Sequence, residues 1–433
     1  MAEEFNRRSF LKTAALAAGP AIISARGAND KVNVGWIGVG TRGNASLDWM
    51  HTAEPENVQI TAICDTYQGY LARGVDRMQT IWGTKPATYT DYKDLLADKN
   101  IDAVFIMTPE HLHHDMAIAA LRAGKHVYVE KPLAHTIEEG WDIVKEWEKS
   151  GKICQVGTQN RSSSLYKKAK EMVQQGMIGD VHFVRAFWYR NGLPTEPSWR
   201  YVIPAEANPQ NTDWKKFLGN APKHDWDPHR YFQWRLYWDY SGGISTDLLV
   251  HQTDIVNFML EKTIPKTCMA SGGVYRWTDK SDDRDVPDTF SAIYDYDKLQ
   301  VNYSCYLGNE FFGYGEELCG NEGTIRIMNR QDLYFEPETF NSRRAGAANR
   351  APEPIKSRKA IHINGMQDFK ESDGAINHFK NFIEAIRAND KNMVIAPPTV
   401  GQQAAITGHM ATLSFKNQKK VVWDDGAKKY HFA

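Results

Sequence analysis

Residues 31–44 read KVNVGWIGVGTRGN: an apolar, β-prone run, then glycines, then residues able to start a helix. Gly38, Gly40 and Gly43 fall in G-x-G-x-x-G spacing at that junction. The first glycine permits a tight turn, and the second lets backbone approach a pyrophosphate. The third lets helix and strand pack closely, with the helix N-terminus facing the phosphates. Thr41 and Arg42 lie inside the same loop and join the three glycines as candidate cofactor-binding residues. A second strand, VQITAICD, ends in Asp65. It lies about twenty residues beyond the last glycine, the spacing of the acid that binds the adenine ribose hydroxyls. A carboxylate there disfavours a ribose phosphate, so NAD is expected in preference to NADP.

The alternation continues. YTDYKDLLADKN reads as a helix, IDAVFIMTP as a strand and EHLHHDMAIAALRAGK as a helix ending at Gly124. HVYVEKPLA is a strand, TIEEGWDIVKEWEKSGK a helix with Thr136 as its cap, and ICQVGTQ another strand. Such alternation predicts a doubly wound parallel sheet with helices on both faces. Ligands of these sheets sit at the carboxyl ends of the strands. That rule selects Thr108, Pro109, Glu130, Lys131 and Gln159. His111, His113 and His114 follow the third of these strands without metal-ligand spacing. His113 is the candidate for a place beside the nicotinamide, with solvated surface histidines as the alternative.

The 433 residues suffice for two domains, and a net charge of −1 gives no argument for nucleic acid or a membrane as partner. Cys64, Cys154, Cys268, Cys305 and Cys319 are scattered and suggest neither a disulfide framework nor a zinc site. Cys64 and Cys154 lie in strand-like runs and read as small core residues. At the start of the chain, Arg7 and Arg8 precede Ser-Phe-Leu-Lys, a short apolar run and small residues near Ser24 and Ala25. That order resembles a twin-arginine export signal, too short to remain in a bilayer as a helix. It implies passage through the twin-arginine translocase to the periplasm or beyond, with no stable membrane insertion.

The run GWIGVGTRG and the stretch TPEHLHHDMAIAALRAGKHVYVEKPLA resemble the glucose–fructose oxidoreductase, inositol dehydrogenase and MocA (Gfo/Idh/MocA) family. AGKHVYVEKP is close to its AGKHV-x-x-EKP signature. With the twin-arginine segment taken as a signal and linker over 1–30, the resemblance implies a Rossmann domain over 31–157 and a C-terminal α/β domain over 158–433. The latter would hold a large, open, mostly antiparallel sheet, through which members often assemble as dimers or tetramers. It further implies an oxidoreductase acting on a carbohydrate, with Lys131 between nicotinamide and substrate.

In the second half, RSSSLYKKAKEMVQQGMIGDV reads as a helix and VHFVRAFWYR as a strand, followed by an irregular, aromatic-rich stretch to Tyr240. An amphipathic helix is expected from Thr246 to Leu260. Asp247 and His251 are four apart, on one face of it. Gly242, Gly243, Asp247, His251 and Asp254 match the family's GG…D-x-x-x-H-x-x-D pattern, which places the aspartate and histidine in the catalytic pocket. Histidine suits removal of a hydroxyl proton as a hydride leaves. Lys131 can stabilise the oxygen, and Asp247 can orient the hydroxyl or His251. Asp254 reads as a structural partner.

Strands with turns at Asp297-Lys298 and Asn321-Glu322-Gly323, two helices (GAINHFKNFIEAIRAND and TVGQQAAITGHMATLSFKN) and a last strand, KKVVWDD, complete the chain. A loop is expected from about 339 to 359. Trp188, Trp199, Trp214, Trp226, Trp234 and Trp238 can face a sugar or fill core and interface, in equal measure. Arg190, Arg200 and Arg235 can hold hydroxyls or an acid group. Export together with a dinucleotide implies a tightly held cofactor that is returned to its starting state each turnover, either by a second substrate that takes the hydride back or by chemistry that is redox-neutral overall. NAD-dependent glycosidases work in the latter way, but their HG-x-G-P stretch is absent from VHQTD. A non-catalytic sugar or dinucleotide sensor is the third reading; it predicts loss of Lys131 or His251, and both are present.

Overall fold

The structure is a computed structural model that describes residues 31–193, 195–279, 282–340 and 352–433. The export-signal residues, Arg7 and Arg8 included, and most of the basic loop lie outside the described residues.

Strands and helices alternate as β1 (Val32–Ile37), α1 (Thr41–Ala53), β2 (Val58–Cys64), α2 (Gln68–Trp82), β3 (Ala87–Tyr89), α3 (Tyr92–Ala97), β4 (Ala103–Ile106), α4 (His113–Arg122), β5 (His126–Val129), α5 (Ile137–Ser150) and β6 (Cys154–Val156). The strands form a parallel six-stranded sheet in the order β3-β2-β1-β4-β5-β6. That is the Rossmann order, and its direction reverses between β1 and β4, which opens a crevice above their carboxyl ends. Thr136 caps α5 as expected. Its hydroxyl accepts from the Glu139 N–H and the Glu139 carboxylate accepts from the Thr136 N–H, a reciprocal capping box.

The chain continues with α6 (Ser164–Gln174), β7 (Val181–Tyr189), α7 (Val250–Leu260), β8 (Thr267–Gly273), β9 (Thr289–Asp295), β10 (Gln300–Tyr306), β11 (Tyr314–Gly320), β12 (Gly323–Met328), β13 (Asp332–Pro337), β14 (Ile361–Asn364), α8 (Ala375–Ala388), α9 (Pro398–Asn417), β15 (Val421–Asp424) and β16 (Lys429–Phe432). Ten strands make one sheet in the order β14-β13-β12-β11-β7-β10-β9-β8-β15-β16. Among the described residues of this sheet only β7 and β10 pair in parallel; the fold class is the expected one. The β9–β10 hairpin turns at Asp297 and Lys298, both at positive φ, as the right-handed twist of a tight hairpin demands.

Two expectations need correction, and one helix adds to the picture. The segment from Thr246 is not a single amphipathic α-helix. Ser245–Leu249 forms a π-helical turn, and α7 buries nearly every side chain between the sheet, α6 and α9. KKVVWDD is not the last strand, since β16 pairs back on β15. Finally, α8 leaves the second sheet and covers the first. Trp36, Phe105 and Tyr128 stand side by side in register on β1, β4 and β5 and stack at 4.6 and 4.8 Å. Phe379 of α8 meets all three rings edge-on. The Rossmann core therefore needs residues far beyond 158, because three aligned aromatic faces require an apolar cover. The long helix α9 also bridges the two sheets. Gln402 Nε2 donates to the Ile137 carbonyl at 2.8 Å, and the Thr407 carbonyl accepts from Tyr294 at 2.8 Å.

Candidate active site

A cleft of about 430 Å³ runs from the glycine loop to the first turns of the helix that carries Asp247 and His251. Its floor is built from strand ends, as the topology requires. Gly38, Gly40, Thr41, Arg42, Asp65, Thr108, Pro109, Glu130, Lys131 and Gln159 all line it.

The glycine loop fits a dinucleotide. Gly38 has φ +92°, and a Cβ there would meet the Met107 backbone at 2.9 Å. A Cβ on Gly43 would collide with the Gly38 carbonyl, so Gly43 lies behind the loop, where helix and strand touch. On Gly40 a Cβ would meet only the Tyr70 ring, at ordinary contact distance, so this backbone is open to the cleft. No side chain caps the N-terminus of α1, which leaves its first N–H groups for an anionic ligand. Asp65 faces the same end. It accepts from the Val39 N–H at 2.9 Å, the Tyr67 N–H at 3.0 Å and the Tyr231 hydroxyl at 3.2 Å. Arg42 reaches across the loop to Glu130 at 3.0 Å.

His113 does not line the cleft. Its ring is buried behind it, with Nδ1 2.8 Å from the Pro132 carbonyl and Nε2 3.0 Å from the Thr108 carbonyl. The expected place beside the nicotinamide is therefore corrected: this ring links the loops after β4 and β5.

The second half of the chain supplies the other wall. Lys131 Nζ donates to the Asp247 carboxylate at 2.9 Å and to its carbonyl at 2.7 Å. Arg235 approaches the same carboxylate at 3.3 Å. Burial alone would raise the Asp247 carboxyl, but these two cations hold it below the usual carboxylate range. Asp247 is thus turned to Lys131 and Arg235 rather than to His251. His251 packs against Trp188 on the cleft wall. Burial, reinforced by Lys131 and Arg330, holds its imidazole well below the usual histidine range. It is therefore a neutral ring, able to accept a proton. Asp254 points away and makes a buried pair with Arg161 at 2.8 Å, the structural place expected of it.

Glu110 escaped sequence reasoning, although it directly follows the Thr108-Pro109 strand end. It is buried and accepts from the Gly242 N–H and from the Thr246 hydroxyl at 3.0 Å. It thereby ties the first sheet to the turn that starts the Asp247 helix. Burial pushes its carboxyl up to about 7. Arg330 also escaped, because it lies on the β12–β13 turn with no local motif. Of the tryptophans, Trp188, Trp199 and Trp234 line the cleft, while Trp214 and Trp226 pack edge-on in the core. Cys64 and Cys154 are buried, and none of the five thiols is paired.

An oxidoreductase-family model with an NAD-binding Rossmann fold matches residues 32–158, and two models of that family's C-terminal α/β domain match 163–270 and 218–422. The chain belongs to the Gfo/Idh/MocA oxidoreductase family. A glycosyl hydrolase family 109 protein of Shewanella baltica is 39% identical over 156 residues, 35% of this chain and 34% of its own length. An alpha-N-acetylgalactosaminidase of Shewanella oneidensis is 38% identical over 154 residues, 35% of this chain and 33% of its own. The chain thus aligns with about a third of the length of these curated relatives. Among solved structures, a levoglucosan dehydrogenase in complex with NADH and levoglucosan superposes with a TM-score of 0.68 at 19% identity. The alignment covers 91% of this chain and 99% of that one. The WlbA dehydrogenase of Bordetella pertussis, in complex with NADH and UDP-GlcNAcA, gives 0.63 at 18%, over 91% and 99%. At these identities the likeness is one of fold.

Proposed function

We propose that the protein is an NAD-dependent oxidoreductase that moves a hydride between the nicotinamide and a secondary hydroxyl of a sugar or sugar derivative. The observation that carries this is the convergence of Lys131, from the nucleotide-binding sheet, with Asp247 and His251, from the second domain, in one cleft that begins at the glycine loop. Bound NAD would supply the hydride acceptor, held by Gly38, Gly40, Thr41 and Arg42 with Asp65 at the ribose. Lys131, kept in place by Asp247, stabilises negative charge as it develops on the sugar oxygen. Neutral His251 takes the hydroxyl proton. The test is to incubate NAD-loaded protein with a sugar panel and follow nicotinamide absorbance. Reduction that needs both Lys131 and His251 supports the reading; a silent panel despite saturated NAD counts against it.

A second reading, a redox-neutral glycosidase or lyase acting by oxidation and elimination, is favoured by the family 109 relatives. There the same residues would oxidise one hydroxyl to a ketone, the carbon beside it would lose its proton as the next carbon released the leaving group, water would add across the resulting double bond in the glycosidase case, and the hydride would return to the ketone. Release of the leaving group without net NADH separates the two. Both readings suit a cofactor that stays bound, as export by the twin-arginine route would require. Dialysis of periplasmic protein without nicotinamide, followed by mass spectrometry of what it still holds, tests retention and location together. Assembly as a homodimer or homotetramer is checked by light scattering.

A further inference from the structure

Of the three arginines that the sequence offered for an acid group, two are already engaged. Arg200 pairs with Asp282 at 3.0 Å and with Asp283 at 2.6 Å, and Arg235 pairs with Asp247. Arg190 is different. It follows β7 on the cleft wall and, among the described residues, makes no ion pair or side-chain hydrogen bond; its guanidinium lies 5.4 Å from the Trp188 ring. Arg330 comes to the same tryptophan from another element, 5.2 Å from the ring, and also lines the cleft. Its Nε and Nη2 are buried and lack a hydrogen-bond partner among the described residues.

Stacking uses the face of a guanidinium, whereas its N–H donors lie in the plane and stay unsatisfied. Leaving such donors buried and unpaired is costly unless a ligand meets them. The backbone adds to the cost: Arg330 sits at φ +59°, unfavourable for a side chain of this size. Nearby acids do not neutralise the pair. Asp247 is held by Lys131 and Arg235, and Glu316, which bonds Tyr166 at 2.9 Å, is pushed by burial up to about 8 and so carries little charge at neutral pH. His251 lies against the same Trp188 ring, so a group held by the arginines is next to the proposed proton acceptor.

We infer that Arg190 and Arg330 form an oxyanion-recognising subsite against Trp188, and that the sugar accepted by the cleft is acidic, bearing a carboxylate, sulfate or phosphate. This rests on the proposed sugar-oxidising reading for its substrate class, but the subsite itself has a binding readout independent of it. Planar guanidinium forks match carboxylate, sulfate and phosphate oxygens in pairs.

The experiment uses the NAD-loaded full chain. Glucuronate and galacturonate, and the phosphate and sulfate esters of glucose, are each compared with glucose and galactose. Binding is read by tryptophan fluorescence and turnover by nicotinamide absorbance, in wild type and in Arg190→Gln, Arg330→Gln and Arg330→Lys. The expected result is that one acidic class binds at least about thirtyfold more tightly than its neutral match, the lower end for a buried charge-assisted pair. Either Gln variant should remove most of that preference, and Arg330→Lys should restore part of it. The class that wins identifies the acid group. Acidic sugars that bind with this arginine dependence but are never oxidised leave the subsite standing and remove the hydride-transfer reading. Neutral sugars oxidised as well as acidic ones, with the variants unchanged, overturn the subsite while the oxidation reading survives. Failure of every acidic sugar to bind wild type also overturns it. Should Arg330→Gln fail to fold, Arg190→Gln carries the test from a different element.

Discussion

On the nucleotide-facing wall of the cleft, most of the polar groups come from the first sheet and hold one another, with the Tyr231 hydroxyl added to Asp65 from the second half of the chain. Asp65 takes N–H groups from Val39 and Tyr67, and Arg42 is matched to Glu130. On the opposite wall, where the proposed reading seats the sugar, the groups come from places far apart in the chain, and their charges are only partly matched. Lys131 and Arg235 share Asp247, while Arg190 and Arg330 have no acid of their own among the described residues. The first wall is a preformed mould for a ligand of fixed shape. The second holds an excess of positive charge in a buried setting, where interactions with developing or resident negative charge are strong.

The largest expected effects fall on the second wall. Lys131→Met and His251→Ala should each lower kcat/KM on the order of a hundredfold or more, the scale of acid–base and electrostatic catalysis. Melting should change far less. The pH profile sharpens this. Neutral His251 is the proton-accepting form, and its imidazole is held well below the usual range. Rate should therefore persist as pH falls through about 6.5, the ordinary histidine value, and decline only well below it. An acidic limb near that ordinary value would mean that His251 is not the desolvated acceptor proposed.

Glu110 joins the two walls, and its effect should be on stability. Its folded carboxyl lies at about 7 against an ordinary 4.5. The folded state therefore holds a proton that the unfolded chain has released over that interval, and stability falls as pH rises through it. Glu110→Gln keeps an oxygen for the Gly242 N–H and removes the charge. It should be nearly neutral near pH 4 and stabilising by up to about 3 kcal/mol near pH 8. Denaturant melts at the two pH values measure this. A variant less stable at the higher pH would show that the ionised carboxylate is needed for the link.

The same contrast explains what could be read in advance. The glycine loop, Asp65 and Lys131 are coded by short spacings beside strands, so their convergence follows from topology alone. Asp247 and His251 are singled out by the family's GG…D-x-x-x-H-x-x-D pattern, since a spacing of four alone marks only an ordinary pair along a helix. Arg330 reaches the cleft only because the ten-stranded sheet sets the β12–β13 turn beside β11 and β7, and nothing local marks it. The covering of the first sheet by α8 was missed for a related reason: an amphipathic pattern says that a face is buried, not against what. Asp65 is the intermediate case. The spacing found it, but the hydrogen bonds show that it also supports the loop. Asp65→Asn keeps one acceptor oxygen and sets an NH2 group against the other backbone donor, so part of that support goes with the charge. It should weaken NAD binding roughly tenfold, the value of about one charge-assisted hydrogen bond, while the preference over NADP narrows. Dissociation constants for both dinucleotides decide it, and an unchanged preference would place another residue at the ribose.

The smallest effect should come from a feature that is purely local. Thr136 lies just beyond the Lys131 loop, yet its role is confined to the first turn of α5. There its hydroxyl accepts from the Glu139 N–H at 3.2 Å while Glu139 closes the box from the other side. Thr136→Ala removes one acceptor and leaves the rest of the helix, whose inner face is fixed by Ile143 and Val144. The cost should be about 1 kcal/mol, seen as roughly fivefold faster hydrogen exchange at the Glu139 amide if the turn opens locally. Because no catalytic group depends on that turn, kcat/KM should stay the same. A drop in kcat/KM would mean that the α5 cap holds the Lys131 loop in register. The wall built from short-range signals would then share in the chemistry assigned to the other.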